Sequence, residues 1–394
     1  MNSSFLRYFF SYIFKSKTRQ KLIFLAIIGL TLSSFSLTVL QGIMGGLQSG
    51  LIQRSQNVLG SGYLSFKNID LQNSELQSIF DELQKENIPY YYELELELMI
   101  QNKEYVSPII IHGIDTDHPP PFLSAKKDIA IDTSNIVLGG DLARALRANY
   151  GSKIKVTSPA HTDFIFEEIP RQSTSYISDF FSSELPEIDS LHGWVRLSFL
   201  HNLVREQTIN KVRFYDGDED KIIQIIQPYQ NSLDVEYISW ESEHSTLVWA
   251  LNLETRVMLF IFASMSLLIG ICITSGFLIF YNKIKLDLAS FWIMGMNRDK
   301  IYRLIYILGQ LLSVLFCLIG AGLGLVFLYL LDSNQIMIMP EQFVERNIPV
   351  KFSWSNTFVA FIIPYTVASL FTFYTFRIFK KEQFSFLTQI RKLS

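Results

Sequence analysis

The histidines and some of the acidic residues carry the side chains that could hold a metal ion. The six histidines are His112, His118, His161, His192, His201 and His244. They show no HExxH or other paired-ligand spacing, and no cysteine lies near them, so we expect no zinc site. Asp216, Asp218 and Asp220 have the spacing that begins a calcium loop, but the sixth position is Lys221 rather than Gly and the twelfth is Gln227 rather than Glu. We interpret the three acids as a solvated turn.

The sequence also lacks the patterns that bind nucleotides or relay ions. No GxxxxGK[ST] segment occurs, so ATP-driven work requires a separate subunit. No charged residue lies in the apolar segments 257–281, 304–331 and 357–376, whereas ion and proton pathways need ionisable groups inside the membrane. We therefore predict a non-catalytic chain without a cofactor of its own, so that any ATP and Mg²⁺ used to drive it would be bound by a separate ATPase subunit.

The elements around these residues are those of a membrane protein. Hydrophobic residues make up 49% of the 394 residues and charged residues only 18%. Four long segments are free of charge or nearly so, at 22–53, 257–281, 304–331 and 357–376, and about 20 helical residues suffice to cross a bilayer. We predict four transmembrane helices.

Charge is distributed unevenly along the chain. Residues 45–256 contain 17 Lys and Arg against 31 Asp and Glu, a balance of −14, and the remainder contains 17 against 6. This sign excludes a basic surface for nucleic acid. Basic residues cluster before the first span, between the second and third spans and after the fourth, which places these segments in the cytoplasm and both termini inside. Cys272 and Cys317 both lie in predicted spans, so the outer domain has no disulfide.

These observations predict a membrane α-helical fold with a large α+β periplasmic domain inserted between helices 1 and 2. The four spans are predicted at 22–44, 257–281, 304–331 and 357–379. On the cytoplasmic side we predict an interfacial helix at 1–21, a loop at 282–303 and a tail at 380–394. The periplasmic domain with its helical stalks is predicted at 45–256, and a short periplasmic loop at 332–356.

Local sequence patterns predict individual helices and strands in the outer domain and a polar stripe in the first span. In the domain, helices are predicted over 74–87 and 139–148, and strands over 93–98, 108–113 and 153–157. The mixture without a repeat indicates an α+β domain. In the first span, Thr31, Ser34 and Thr38 form a polar stripe that suits either helix packing or the lining of a cavity.

Three segments form a recognisable set: Leu6-Arg7-Tyr8 before a basic stretch, VLGGDLARALRANYGSKIKVTSP over 137–159, and the segment 253–295 that ends NKIKLDLASFWIMG. Together they resemble the C/E class of lipoprotein-releasing (Lol) permeases, within the wider MacB/FtsX-type superfamily of ABC transporter subunits. The resemblance extends over almost the whole chain. It implies an inner-membrane permease that works with two copies of an ABC ATPase and with a second permease, as a homodimer or heterodimer.

The resemblance also implies two contact sites. The segment after the second span corresponds to the coupling helix that docks into the ATPase, carried here by Asp287, Leu288, Phe291, Trp292 and Gly295. Ile284 shares its apolar face, and an amphipathic helix with exposed aromatic residues suits insertion into a groove. An interfacial loop that only returns the chain is the alternative.

A hairpin over 160–172 corresponds to the element that recruits a periplasmic lipoprotein chaperone in the C-type permease. Ile169-Pro170-Arg171-Gln172 resembles the family's Ile-Pro-x-Gln. An ordinary connecting hairpin is the alternative.

A lateral opening between paired permeases is the expected substrate cavity. Its predicted lining is Thr31, Ser34, Thr38, Met44, Phe260 and Met265. The expected substrate is a lipoprotein, extracted from membrane lipids and passed to the chaperone. The alternatives are a MacB-like or FtsX-like mechanotransmitter, which drives efflux or a cell-wall hydrolase, and a membrane sensor or scaffold without an ATPase.

Overall fold

A computed structural model describes residues 21–124, 134–163, 169–334 and 349–381. The described chain divides into two compact units. One comprises residues up to Ser49 together with Ala250 onward, and the other comprises Gly50–Trp249. The predicted interfacial helix at 1–21, most of the loop at 332–356 and the tail at 380–394 lie largely outside the described residues.

The first unit is helical. Its four helices are α1 (Lys21–Leu59), α10 (Ser245–Ile293), α11 (Arg298–Asn334) and α12 (Trp354–Lys381), of which α1 and α10 begin or end in the other unit. Each contains a stretch that is long and apolar enough to cross a membrane. Buried side chains of α10, α11 and α12, with Leu30 of α1, form one apolar core.

The second unit combines short helices with strands. Its strands are β1 (Gly62–Asp70), β2 (Tyr91–Asn102), β3 (Tyr105–Ile114), β4 (Asn135–Gly139), β5 (Lys153–Asp163), β6 (Ile169–Phe181), β7 (His192–Arg196), β8 (Thr208–Phe214) and β9 (Glu236–Ser239). Its helices are α2 (Ser74–Lys85), α3 (Pro121–Ser124), α4 (Gly140–Ala145), α5 (Pro186–Asp189), α6 (Leu197–Val204), α7 (Glu219–Ile226), α8 (Gln230–Leu233) and α9 (Trp240–Glu243), with a 3₁₀ turn at Gln227–Tyr229.

The strands form one sheet with the order β3-β7-β4-β6-β5-β2-β8-β1-β9. At one end of the sheet lie β2, β8, β1 and β9, in which each neighbouring pair is antiparallel. They are connected through α2 and α7 as a β-α-β-β-α-β arrangement. All elements from β3 to α6 are inserted between β2 and β8 in the chain.

The inserted strands close into a ring because β3 pairs with β2 as well as with β7. The ring contains β2, β3, β7, β4, β6 and β5. β2 belongs to both parts of the sheet: near its start Tyr91 pairs with Arg213 of β8, and near its end Met99 pairs with Thr157 of β5. Where β2 leaves β8, the side-chain amide of Asn210 bonds both the N–H and the C=O of Glu95, each at 2.8 Å.

Sequence patterns account for most of these elements. The helix predicted over 74–87 is α2, and its N-cap is Asn73, whose side chain accepts a hydrogen bond from Glu75 N. The predicted strands over 93–98, 108–113 and 153–157 are confirmed, and each is longer in the structure. The helix predicted over 139–148 is shorter, at Gly140–Ala145.

The helical continuation of the first span is confirmed, since α1 runs without a break to Leu59. The predicted separate coupling helix is not observed, because α10 continues from the second span to Ile293. The charged residues at 283–287 are unbranched or short and do not break a helix, so nothing in that segment ends it before Gly295.

Candidate functional site

A buried group of charged side chains lies in the second unit, at the point where β2 passes from β8 to β3. We call Glu93, Glu95, His112, Lys211 and Arg213 the ion cluster. Lys211 of β8 lies opposite Glu93, and His112 of β3 lies opposite Glu95. Glu93, His112 and Arg213 are each less than 5% exposed.

Each carboxylate in the ion cluster has a basic partner. Arg213 donates from Nε to Glu93 and from Nη2 to Glu95, the latter at 2.5 Å. Lys211 Nζ donates to the other oxygen of Glu95 at 2.7 Å. Two acids and two permanent bases therefore balance, as buried charges require.

His112 extends the ion cluster towards β7. Its Nδ1 lies 3.3 Å from a Glu93 oxygen, and its Nε2 lies 2.8 Å from Nδ1 of His192. Because a carboxylate only accepts hydrogen bonds, Nδ1 of His112 carries a proton. The His112 ring also stacks on Trp194, with ring centroids 5.0 Å apart.

The surroundings shift the pKa values of these groups. Burial alone raises the pKa of Glu93, but Arg213 and His112 outweigh it and hold that pKa well below its ordinary value. Burial, followed by the nearby His112, lowers the pKa of His192 to about 3. At neutral pH the carboxylate is charged and His192 is neutral.

Glu93, Glu95 and His112 are close enough together to be considered as metal ligands. The carboxylates of Glu93 and Glu95 are already paired with Arg213 and Lys211, and these two bases would repel a cation. The arrangement fits an ion-pair network and does not fit a metal site.

The ion cluster holds the end of α1. Arg213 Nη1 donates to the carbonyl oxygen of Leu59 at 2.5 Å, and the hydroxyl of Tyr215 donates to the carbonyl oxygen of Val58 at 2.9 Å. The last carbonyls of a helix have no partner within the helix, so these bonds complete it. Val58 and Leu59 are buried in a small apolar core that also contains Trp194.

The start of α10 is tied to the same place. Trp240, in the short helix before α10, is 1% exposed, and its Nε1 donates to Ser55 Oγ of α1 at 2.8 Å. Its backbone N donates to the carbonyl oxygen of Ser61, just before β1. Inside the second unit, α1 is thus hydrogen-bonded to the sheet and to α9, the short helix that precedes α10.

The predicted coupling residues occupy the end of α10. Leu288 is buried, and Phe291 and Trp292 pack against the apolar core of the helical unit. Both aromatic side chains are partly buried, so the fully exposed aromatic face that the sequence suggests is not observed, and this face packs between helices. Asp287 lies in α10, and its side chain is outside the described part of the structure.

The exposed apolar side chains are those of the next two residues, Ile293 at 65% and Met294 at 71% exposure. They lie in a tight turn that Gly295 permits through its φ of +92°. Gly295 N bonds Trp292 O, and Met296 N bonds Phe291 O, which is a Schellman motif. The turn between α10 and α11 thus presents two adjacent apolar side chains.

The polar stripe of α1 makes helix contacts. Ser34 Oγ donates to the carbonyl oxygen of Cys317 in α11 at 3.0 Å, and Ser34 and Thr38 are almost fully buried. A Cβ at Gly320 would collide with Thr31 O, and one at Gly324 would collide with the Thr38 side chain. The structure therefore places the stripe against α11 instead of on a cavity, because these glycines allow close approach of the two helices.

The other residues of the predicted substrate cavity are separated from the stripe. Phe260 and Met265 lie on α10 with 74% and 54% exposure. Met44 lines a cavity among α1, α10 and α12. The structure does not bring these six residues together within one chain.

The predicted docking hairpin is only partly described, since residues 164–168 lie outside the described ranges. Its two arms are β5 and β6, which pair at Ser158 with Arg171 and at Thr157 with Gln172. Ile169 is 55% exposed, whereas Arg171 donates to the carbonyl oxygen of Val204. Pro170 pairs with Thr162 across the hairpin.

The ion cluster was not predicted from the sequence. The alternation of Glu and Leu over 93–98 predicts a half-buried strand, but it does not reveal that Glu93 is only 3% exposed. The available signal was a second alternating segment, Lys211-Val212-Arg213-Phe214, whose bases match these acids. The pairing joins residues 120 positions apart, which spacing alone does not reveal.

Comparison with known proteins gives a limited result. The chain matches no family model and no curated protein sequence. Among solved structures, it is similar to the periplasmic region of MacB from Actinobacillus actinomycetemcomitans, with 11% identity over 49% of this chain and 95% of that one and a TM-score of 0.31. It is also similar to the extracellular domain of the noncanonic ABC-type transporter YknZ from Gram-positive bacteria, with 10% identity over 45% of this chain and 98% of that one and a TM-score of 0.29. Likeness at this level does not establish a family or a function.

Proposed function

We propose that this chain is the permease subunit of an ABC transporter that extracts lipoproteins from the inner membrane and passes them to a periplasmic chaperone. In this proposal the chain is not an enzyme. Two copies of a separate ATPase bind ATP and Mg²⁺, a second permease completes the transporter, and both termini are cytoplasmic. The second unit lies in the periplasm.

The observation that carries the proposal is the attachment of α1 and α10 within the second unit. Both connections between the units are helical. Arg213 bonds the end of α1 to the sheet, and Trp240, in the short helix just before α10, bonds Ser55 of α1. A helix pair held in this way can pass a displacement from the membrane-spanning helices to the sheet without bending at a loop. ATP-driven movement of the helices would then act on the periplasmic unit.

The contact with the ATPase is assigned to the turn between α10 and α11. Ile293 and Met294 are the exposed apolar pair there, and two adjacent apolar side chains at the tip of a helical hairpin fit a hydrophobic groove. The sequence resemblance supports a coupling role for this segment, and the burial of Phe291 and Trp292 favours Ile293 and Met294 as the contact residues.

Lipoprotein extraction supplies a reason for ATP hydrolysis. Each buried CH₂ of an acyl chain contributes about 0.8 kcal/mol to membrane retention, so spontaneous release of a lipoprotein with several chains is very slow. The test is reconstitution of the chain with its ATPase and second permease in proteoliposomes that hold a lipidated protein. ATP-dependent transfer of that protein to a soluble chaperone is the expected result, and ATP hydrolysis without transfer would contradict the proposal.

One observation favours the alternative, a MacB/FtsX-like mechanotransmitter that drives efflux or activates a cell-wall hydrolase. The stripe of Thr31, Ser34 and Thr38 is closed against α11, as expected of a chain that transmits movement without holding a substrate along that stripe. This alternative predicts a stable ATPase complex and nucleotide-dependent movement of the second unit, with no lipidated protein bound.

A further inference from the structure

The cavity that Met44 lines lies within one chain, unlike the predicted substrate opening between paired permeases. Its volume is about 110 Å³, and it lies among α1, α10 and the start of α12. Leu37, Leu40 and Gln41 of α1, Leu259 of α10 and Val359 of α12 are among its lining residues. All of these elements belong to one chain, so the cavity does not depend on a second permease.

The lining changes from apolar to polar along the helices. Leu37, Leu259 and Val359 form the apolar end. Gln48 and Asn356 lie at the other end, where α12 begins. An amphipathic molecule with an apolar chain and a polar linkage matches this gradient.

The polar side chains that line the cavity differ in their hydrogen bonding. Gln48 Nε2 donates to the carbonyl oxygen of Leu251 at 3.2 Å and lies 3.3 Å from Thr255 Oγ1. Oε1 of Gln41 is buried and has no hydrogen-bond partner. A buried acceptor without a partner is unfavourable, so a group with an N–H or O–H would be stabilised beside it.

The volume limits which part of a molecule fits. A cavity of about 150 Å³ accommodates benzene, so this one holds a linkage of a few heavy atoms and not a whole acyl chain. The rest of the chain would lie along the apolar residues of α1 and α10. Exposed Phe260 and Ile261 on α10 provide such a surface next to Leu259.

We propose that this cavity binds the polar linkage of a membrane-embedded lipid, with Gln41 Oε1 accepting an N–H or O–H from the linkage or head group and the acyl chain following the apolar side. Two sources share this chemistry. One is a phospholipid with a donor in its head group, and the other is the amide-linked acyl chain of a lipid-anchored protein. The second source rests on the proposed function, whereas the first does not.

The test measures lipid retained by the full chain in complex with its partners. The complex is placed in nanodiscs of phosphatidylethanolamine, which has N–H donors, or of phosphatidylcholine, which has none, and the lipid that survives detergent exchange is quantified by mass spectrometry. In parallel, a photo-crosslinker at Met44 reports capture of a lipidated protein in native membranes.

Three variants make the test specific. Gln41→Met removes the acceptor while keeping a flexible side chain, and Val359→Phe fills the cavity from another helix. Gln310→Met is the matched control, because Gln310 Oε1 is also buried without a partner but does not line this cavity. Loss of one such hydrogen bond is expected to reduce retention about tenfold in the first variant, with a comparable loss in the second and none in the control.

The outcomes separate this inference from the proposed function. If phosphatidylethanolamine retention depends on Gln41 and no lipidated protein is crosslinked at Met44, the cavity is a phospholipid site. That result counts against lipoprotein extraction. A Gln41-dependent lipidated adduct supports both. Two results would overturn the lipid site, even where ATP-dependent lipoprotein transfer proceeds. One is that wild type and Gln41→Met show equal lipid retention and equal crosslinking. The other is that Gln310→Met loses as much lipid as Gln41→Met.

Discussion

Arg213 donates a 2.5 Å hydrogen bond from Nη1 to the carbonyl oxygen of Leu59, which lies 154 positions earlier and is the last residue of α1. The same guanidinium forms ion pairs with both Glu93 and Glu95. A single side chain therefore joins the end of a membrane-directed helix to the part of the sheet where its two halves meet, and its removal should affect both.

Replacing Arg213 with Met should destabilise the second unit. Glu93 would remain buried without its main partner, and breaking a buried pair from one side costs about 3–5 kcal/mol. The double variant Arg213→Met/Glu93→Gln should recover part of that loss, because the unpaired charge is gone. Thermal unfolding followed by tryptophan fluorescence measures the effect. Lys67→Met, which breaks an exposed pair with Asp234, is the control and should leave the unfolding temperature unchanged.

Stability should fall as the pH is lowered. The pKa of His192 is about 3 in the folded protein against 6.5 ordinarily, and the pKa of Glu93 lies below its ordinary 4.5. For a group with a lowered pKa, the unfolded chain binds more protons between the two values, so acid favours unfolding. The loss should begin below pH 6.5 from His192 and steepen below pH 4.5 from Glu93.

The variant His192→Phe isolates the first part of this pH dependence. Its unfolding temperature should change less between pH 6.5 and 4.5 than that of the wild type. His118→Phe, at an exposed position, is the control. A wild-type unfolding temperature that is constant from pH 7 to 4 would show that neither group carries the expected linkage.

Ile293→Asp combined with Met294→Asp should prevent co-purification of the ATPase. Both side chains are exposed, so the unfolding temperature of the chain should remain close to that of the wild type. Phe291→Asp should instead lower the unfolding temperature, because it introduces a charge where Phe291 packs against the helical core. Full ATPase binding by the Ile293/Met294 double variant would exclude the turn as the contact.

Alanine at two nearby glycines of α11 should have different effects on stability. Gly320→Ala should destabilise the helical unit, since a Cβ there collides with the backbone of Thr31. At Gly322 nothing lies within 4 Å of an added Cβ, so Gly322→Ala should be neutral or stabilising by up to about 1 kcal/mol through helix propensity. The unfolding temperatures of the two variants provide a direct comparison.

The predicted topology is tested by labelling. In a variant without Cys272 and Cys317, cysteines at Ser16 and Ser385 should be shielded from an impermeant reagent added outside, and a cysteine at Asn73 should react. Reaction of Ser16→Cys from outside would reverse the orientation inferred from the basic segments.

Much of this fold could be predicted from the sequence, and the reasons are local. The four membrane-directed helices follow from charge-free length, and β2 follows from the alternation of Glu and Leu. The pairing of β3 with both β2 and β7, which closes the ring of strands, could not be predicted, because strand pairing depends on contacts between distant segments.

The candidate site was harder to predict for the same reason. Phe291 and Trp292 have the spacing of an amphipathic helix, but spacing does not distinguish a face that docks from a face that packs on neighbouring helices. Ser34 and Cys317 show a similar limit, since a polar residue in a span fits a cavity and a helix contact equally well until its partner, 283 positions away, is known.

The ring of six strands limits how readily the second unit can pair edge to edge with strands of other proteins. In the described sheet each ring strand has partners on both sides, and the outermost strand, β9, is only four residues long. Long unpaired strand edges invite strand addition by other chains and thereby aggregation, and a closed ring with a short final strand offers little template for it. Contacts of this unit with other proteins should therefore form through side chains and loops and not through an extended intermolecular sheet.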